Sequence, residues 1–274
     1  MKILNPIARV ARGLAVPALL VLVATPARSQ SSSAQDLSQQ AANPIANLMS
    51  IPFQLNNDFG LGNYDRTANV LNVQPVIPLM GGKLITRTIF PFVWIPDIGS
   101  ESGTYSSGLA DINFTAFYVP GGGSLTWGVG PIVAMPSGGA ERGSEKWSVG
   151  PSAVALKQST LWTLGILANN LWSIAGKSER EDVNKGLIQY FIVRQLGDGW
   201  YVNSAPIITV NWKAESGQKW VVPFGAGGGK LFFMGRLPVN VQSQAYYNVV
   251  KPDIGPDWQL RFQIQVLLPV PGSK

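Results

Sequence analysis

The chain has 274 residues, a formal net charge of +6, no cysteine and no histidine. Without cysteine there is no disulfide framework, and without histidine the usual general base and the commonest metal ligand are missing, so stability rests on backbone pairing and burial. Charged residues make up 13%, against roughly 25% in soluble proteins, which argues against an ordinary water-bathed fold.

Lys2, Arg9 and Arg12 precede an apolar run at 13–24, and Ala27 and Ser29 bracket Arg28 in a small-x-small pattern. Residues 1–29 read as a secretory signal peptide, because the run is too short to span a bilayer. Lys2, Arg9, Arg12 and Arg28 carry four of the positive charges, so their removal takes +6 down to +2. No nucleic-acid partner is expected, since the mature chain shows no basic stripe. Residues 30–48 form a polar linker and a short helical segment, with helix formers from Ala34 to Ala42 and a stop at Pro44. The segment is either a plug inside the domain that follows or a leader without a gating role.

Residues 49–269 read as strands. The closing string "WQLRFQIQVLLP" sets Trp258, Leu260, Phe262, Ile264, Val266 and Leu268 against Gln259, Arg261, Gln263 and Gln265, a period of two with unlike faces. Alternation and turn clusters place twelve strands near 49–60, 67–78, 83–95, 107–119, 124–136, 146–157, 161–173, 185–195, 200–212, 219–233, 238–248 and 258–269. Tight connections such as "LGDG" and "MGRL" alternate with longer ones such as "PDIGSESGTYSS" and "IAGKSEREDVNK". An even strand count with that asymmetry is the layout of an outer-membrane barrel. Residues 270–274 form a C-terminal tail.

Charge placement separates lipid from core. Asp65, Asp97, Glu101, Glu141, Glu145, Glu179, Glu181, Asp182, Glu215, Asp253 and Asp257 all fall in the longer connections. A soluble sandwich spreads charge over its wet strand faces, whereas a lipid-facing charge costs about 2–4 kcal/mol near the midplane. Trp94, Trp127, Trp147, Trp162, Trp172, Trp200, Trp212, Trp220 and Trp258 each lie near a predicted strand end, the headgroup level that indole prefers. The fold expected is all-β: a transmembrane antiparallel up-and-down β-barrel of about twelve strands, with a short N-terminal helical segment.

The strings "NPIANLMSIPFQLNNDFG", "LNVQPVIPL", "LITRTIFPF", "GLADINFTAFYVP", "WGVGPIVAMPS", "WSVGPSAVALKQ", "LANNLWSIAG" and "WQLRFQIQVLLP" follow one another through residues 40–269. In that order they resemble a bacterial exported family labelled "transporter" or, by a naming accident, "neuromedin U". The resemblance implies an outer-membrane barrel similar in style to phenol-degradation barrels and hydrophobic-compound channels, and it brings no defined substrate.

If the apolar phase faces lipid, the opposite phase lines a lumen with Gln54, Asn56, Asp58, Asn72, Gln74, Arg87, Asp111, Asn113, Asn240, Gln242, Gln244, Arg261, Gln263 and Gln265. These groups pack and hydrogen-bond across a narrow interior, or they leave a wet path for neutral or weakly polar solutes. Arg87, Arg194 and Arg261 are then available to pair with Asp58 and Asp111 or to attract anions. Enzymatic activity is not expected, because a serine hydrolase of the barrel type needs a histidine. No cofactor or metal is expected, and the acidic stretch "SEREDVNK" reads as a solvated loop. The expected partners are outer-membrane lipids and lipopolysaccharide. Three readings stand: a passive channel for small, hydrophobic or weakly polar molecules, a closed structural or surface-interaction barrel, and a soluble exported binder.

Overall fold

A computed structural model describes residues 28–268 apart from 100, 102, 122 and 123, with side chains from 34 onward. The expected leader, apart from Arg28 and Ser29, and the expected tail at 270–274 lie outside the described residues.

After a helix α1 (Arg28–Ala41), twelve antiparallel strands close into a barrel. They are β1 (Met49–Leu61), β2 (Arg66–Val73 continued by Val76–Leu79), β3 (Leu84–Pro96), β4 (Tyr105–Leu109 continued by Ile112–Tyr118), β5 (Thr126–Met135) and β6 (Lys146–Gln158). There follow β7 (Trp162–Gly176), β8 (Asn184–Gly197), β9 (Trp200–Ser204 continued by Ile207–Asn211), β10 (Trp220–Met234), β11 (Leu237–Val250) and β12 (Trp258–Leu268). Each strand pairs with its chain neighbour, and β12 returns to β1 with Met49 opposite Leu268 and Phe59 opposite Trp258. Closure matters because it leaves no unpaired edge.

Three strands expected to be continuous are broken. Pro75 interrupts β2 and Pro206 interrupts β9, since proline has no N–H to give the ladder; β4 breaks at Ala110 and Asp111. Loop lengths are also less regular than expected. The connection at 62–65 is no longer than that at 80–83, and 119–125 is as long as 177–183. Two connections have only two residues, 198–199 and 235–236; in the first, between β8 and β9, Asp198 (φ 50°) and Gly199 (φ 77°) both take the left-handed conformation that a type I′ hairpin requires.

Outward-facing positions carry Phe53, Phe92, Tyr118, Ile166, Ile192, Phe224, Phe262 and Ile264, all exposed, which together make an apolar belt. So large an exposed apolar surface belongs against hydrocarbon. Eight of the tryptophans are exposed and Trp220 is half-buried. Trp94, Trp147, Trp172, Trp212, Trp220 and Trp258 lie at one end of the barrel, and Trp127, Trp162 and Trp200 lie at the other, beside the connections at 119–125, 159–161 and 198–199. Trp212 packs edge-on against Trp220 and donates its indole N–H to the Asn170 side-chain oxygen at 2.8 Å.

Between β6 and β7 the backbones approach so closely that a Cβ on Gly150 stands 1.7 Å from the Asn170 carbonyl oxygen. Gly150→Ala is therefore expected to destabilise the barrel by about 2–3 kcal/mol, read as a lowered urea midpoint in lipid vesicles. An unchanged midpoint means that β6 and β7 yield without cost.

Candidate functional site

The interior has two unlike halves. On β9, β11, β12, β1 and β2 the inner wall is largely amide and hydroxyl, built by alternate residues of each strand, while β10 turns Gly225, Gly227, Gly229 and Leu231 inward. Tyr201 donates to Asn240 (2.8 Å), Asn203 to Gln242 (2.7 Å), Asn240 to Gln265 (3.2 Å) and Gln265 to Ser50 (3.2 Å). From β3 to β8 the wall is mixed: Ile85, Phe117, Val154, Leu156, Leu167 and Phe191 are buried in one apolar cluster, with Arg87, Thr115, Ser152, Thr163 and Gln195 on the same strands.

Arg261 organises the polar half. Its guanidinium donates to Asn56 (2.9 Å), to the Ala205 carbonyl (2.9 Å) and to Gln259 (3.0 Å), and it lies over the Tyr246 ring at 5.0 Å. Gln259 in turn donates to Asp58 at 2.7 Å, so an amide stands between cation and carboxylate. The expected direct pairing of Asp58 with an arginine is thus replaced by a relay. Arg87 donates to Gln74. Gln54 donates to Asn56, and Asn72 sits opposite Gln54 in the register. Asn113 is on the inward phase of β4, where its amide donates to the Asp111 carbonyl.

Two expected lumen residues are placed elsewhere. Arg194 is exposed on the outer face of β8, its guanidinium 5.4 Å from the Trp162 ring centre, because it is one residue out of phase with the inward Val193 and Gln195. Asp111 sits at the rim, where its carboxylate accepts from the backbone of Gly138 (3.0 Å) and from Ser144 backbone (2.7 Å) and hydroxyl (2.8 Å). Backbone and hydroxyl donors satisfy it, and among the described residues no arginine pairs with it.

Several inner-wall residues escaped the sequence reading: Gln189, Gln195, Tyr201, Asn203, Tyr246 and Gln259. The signal for Gln189 and Gln195 was period two, since they flank Phe191 and Val193 on one face of β8.

A cavity of about 160 Å³ lies within this interior, lined by both walls. The charged side chains on its lining are Arg87 and Arg261; among the described residues no carboxylate lines it, and Asp58 stands behind Gln259 from Arg261. At the end of the barrel where β1 begins it is floored by α1 and the strap at 42–48. Ser38 donates its hydroxyl to Gln195 at 3.0 Å, Gln39 donates to the Ser159 and Thr160 carbonyls, and Ala34 packs on Leu231 and Leu267. The Asn203 side-chain oxygen is buried at the cavity without a hydrogen-bond donor. At the opposite rim Asp182 accepts from Lys146 at 3.0 Å, which holds its carboxyl below the usual range, and Glu145 bridges Lys177 and Arg180.

No family model and no curated protein matches the chain. Solved structures do. An outer membrane channel from Pseudomonas putida F1 superposes with a TM-score of 0.59 at 15% identity, over 81% of this chain and 96% of that one. The NanC porin superposes at 0.54 with 8% identity, over 81% and 99%. Outer membrane phospholipase A from Escherichia coli also matches, at a TM-score of 0.41 and 12% identity, over 85% and 98%. The expectation that the chain is no enzyme is not upheld: missing histidine removes one catalytic design and does not exclude catalysis. At these identities the likeness shows the fold alone: a closed antiparallel β-barrel like those of the two channel proteins.

Proposed function

We propose that the chain is an outer-membrane barrel that passes small neutral, weakly polar or anionic molecules passively, and that residues 30–48 close the mouth at which β1 begins. One observation carries this reading: an apolar-coated closed barrel holds an amide-lined cavity whose floor is a separate segment, not the wall. Two guanidinium groups with no carboxylate on the lining favour a negative or polarisable solute over a cation. The belt and the tryptophans support lipid and lipopolysaccharide as its partners in this reading.

Vesicle swelling tests this. The chain lacking residues 30–48 is expected to admit small neutral solutes about tenfold faster than the whole chain. Equal, slow swelling of both favours a second reading, a closed barrel acting through its loops, which the well-bonded interior supports.

A further inference from the structure

The apolar cluster on the inner wall is out of place in a polar path, and what covers it is not part of the barrel. Ile45, on the strap between α1 and β1, is 3% exposed among Ile85, Phe117, Val154, Leu156, Leu167 and Phe191. Polar contacts, exchangeable for water, hold it there. The Asn43 side chain accepts from the Ile45 N–H at 2.9 Å and donates to Gln158 at 3.3 Å, and Gln158 donates to the Gln39 carbonyl at 2.8 Å. The patch also runs into the cavity, because Phe191, with Val76 and Ala205 packed beside the cluster, lines both. A solute in the cavity therefore already touches the surface that Ile45 covers.

We propose that this patch binds the apolar body of a small solute with one polar end, and that Ile45 is its resident stand-in. The inference rests on the channel reading above and names a class of cargo for it. An isoleucine side chain together with a cavity near the size that admits benzene sets the body at about four to seven carbons. Solute and Ile45 exclude each other, so a molecule that binds only the vacated patch shifts the strap toward release and opens the mouth. The amide wall and Arg87 then meet the polar end.

The chain has no cysteine, so a single thiol reports the strap. In lipid nanodiscs, Ile45→Cys is expected to react slowly with a membrane-impermeant maleimide, and about tenfold faster with cyclohexanol present but not with glycerol. Thr160→Cys, exposed in the connection between β6 and β7 at the same mouth, reports any general loosening and is expected to keep its rate. Should Ile45→Cys fail to fold, Ala46→Cys, buried on the same strap, takes its place. A rate indifferent to cyclohexanol, or raised equally by glycerol or at residue 160, overturns the proposal. Swelling of the chain without residues 30–48 is read separately: a responsive strap without swelling sinks the channel alone, and swelling with an unresponsive strap sinks this inference alone.

Discussion

Phe262→Arg is expected to lower the stability of the barrel by about 2–4 kcal/mol in lipid vesicles. Phe262 lies in the middle of β12 and is 46% exposed on the outer face, so a guanidinium there meets the centre of the hydrocarbon. Ile254→Arg is the comparison. Ile254 is somewhat more exposed, at 53%, but sits in the connection between β11 and β12, where an arginine reaches water, and its effect is expected to stay within about 0.5 kcal/mol. Urea midpoints of the two variants give the difference. If both stay near the parent value, water and not lipid bathes the belt, and the channel reading goes with it.

Arg261→Met is expected to cost about 2–3 kcal/mol, because each buried acceptor left without its donor is penalised separately. Asn56, Gln259 and the Ala205 carbonyl all lose a bond to the guanidinium, and Asp58 loses the cation behind its amide partner. Arg194→Met removes an exposed guanidinium stacked on Trp162, worth about 0.5–1 kcal/mol. The same unfolding series orders the two. Equal losses mean that water entering from the cavity replaces Arg261 and that the polar wall does not depend on it.

Most of the architecture was legible in the sequence because a barrel writes its pattern locally. Alternation in β12, glycine-rich turns and acids confined to connections each follow from residues a few positions apart. The interruptions at Pro75 and Pro206 were equally local, and their missing N–H groups are the reason the ladder breaks there. The interior was less legible. In β12 and β11 the glutamines declare the inner phase, whereas at 153–156 of β6 and 164–168 of β7 both phases are apolar, so Val154, Leu156 and Leu167 carry no mark of which side they face. Only the register across β8, with Gln189 opposite Leu167 and Leu167 opposite Val154, orients them. Arg194 fell to the wrong side for the same reason: charge was taken as a sign of the lumen, although an indole at the membrane boundary accommodates it equally well. That Ile45 joins these residues depends on chain reversal after α1, which no periodicity encodes.

The seam between β1 and β12 joins residues more than two hundred positions apart, Met49 to Leu268. Ten other strands must be laid down before either partner finds the other, and until then both present bare ladder groups to whatever surrounds them. Bringing such distant ends together carries the largest loop-closure entropy in the molecule, which makes closure late and slow. A polypeptide ending before Trp258 therefore has no smaller ring to fall back on. It stays an open, adhesive sheet, and its survival during biogenesis depends on being shielded until the final hairpin arrives.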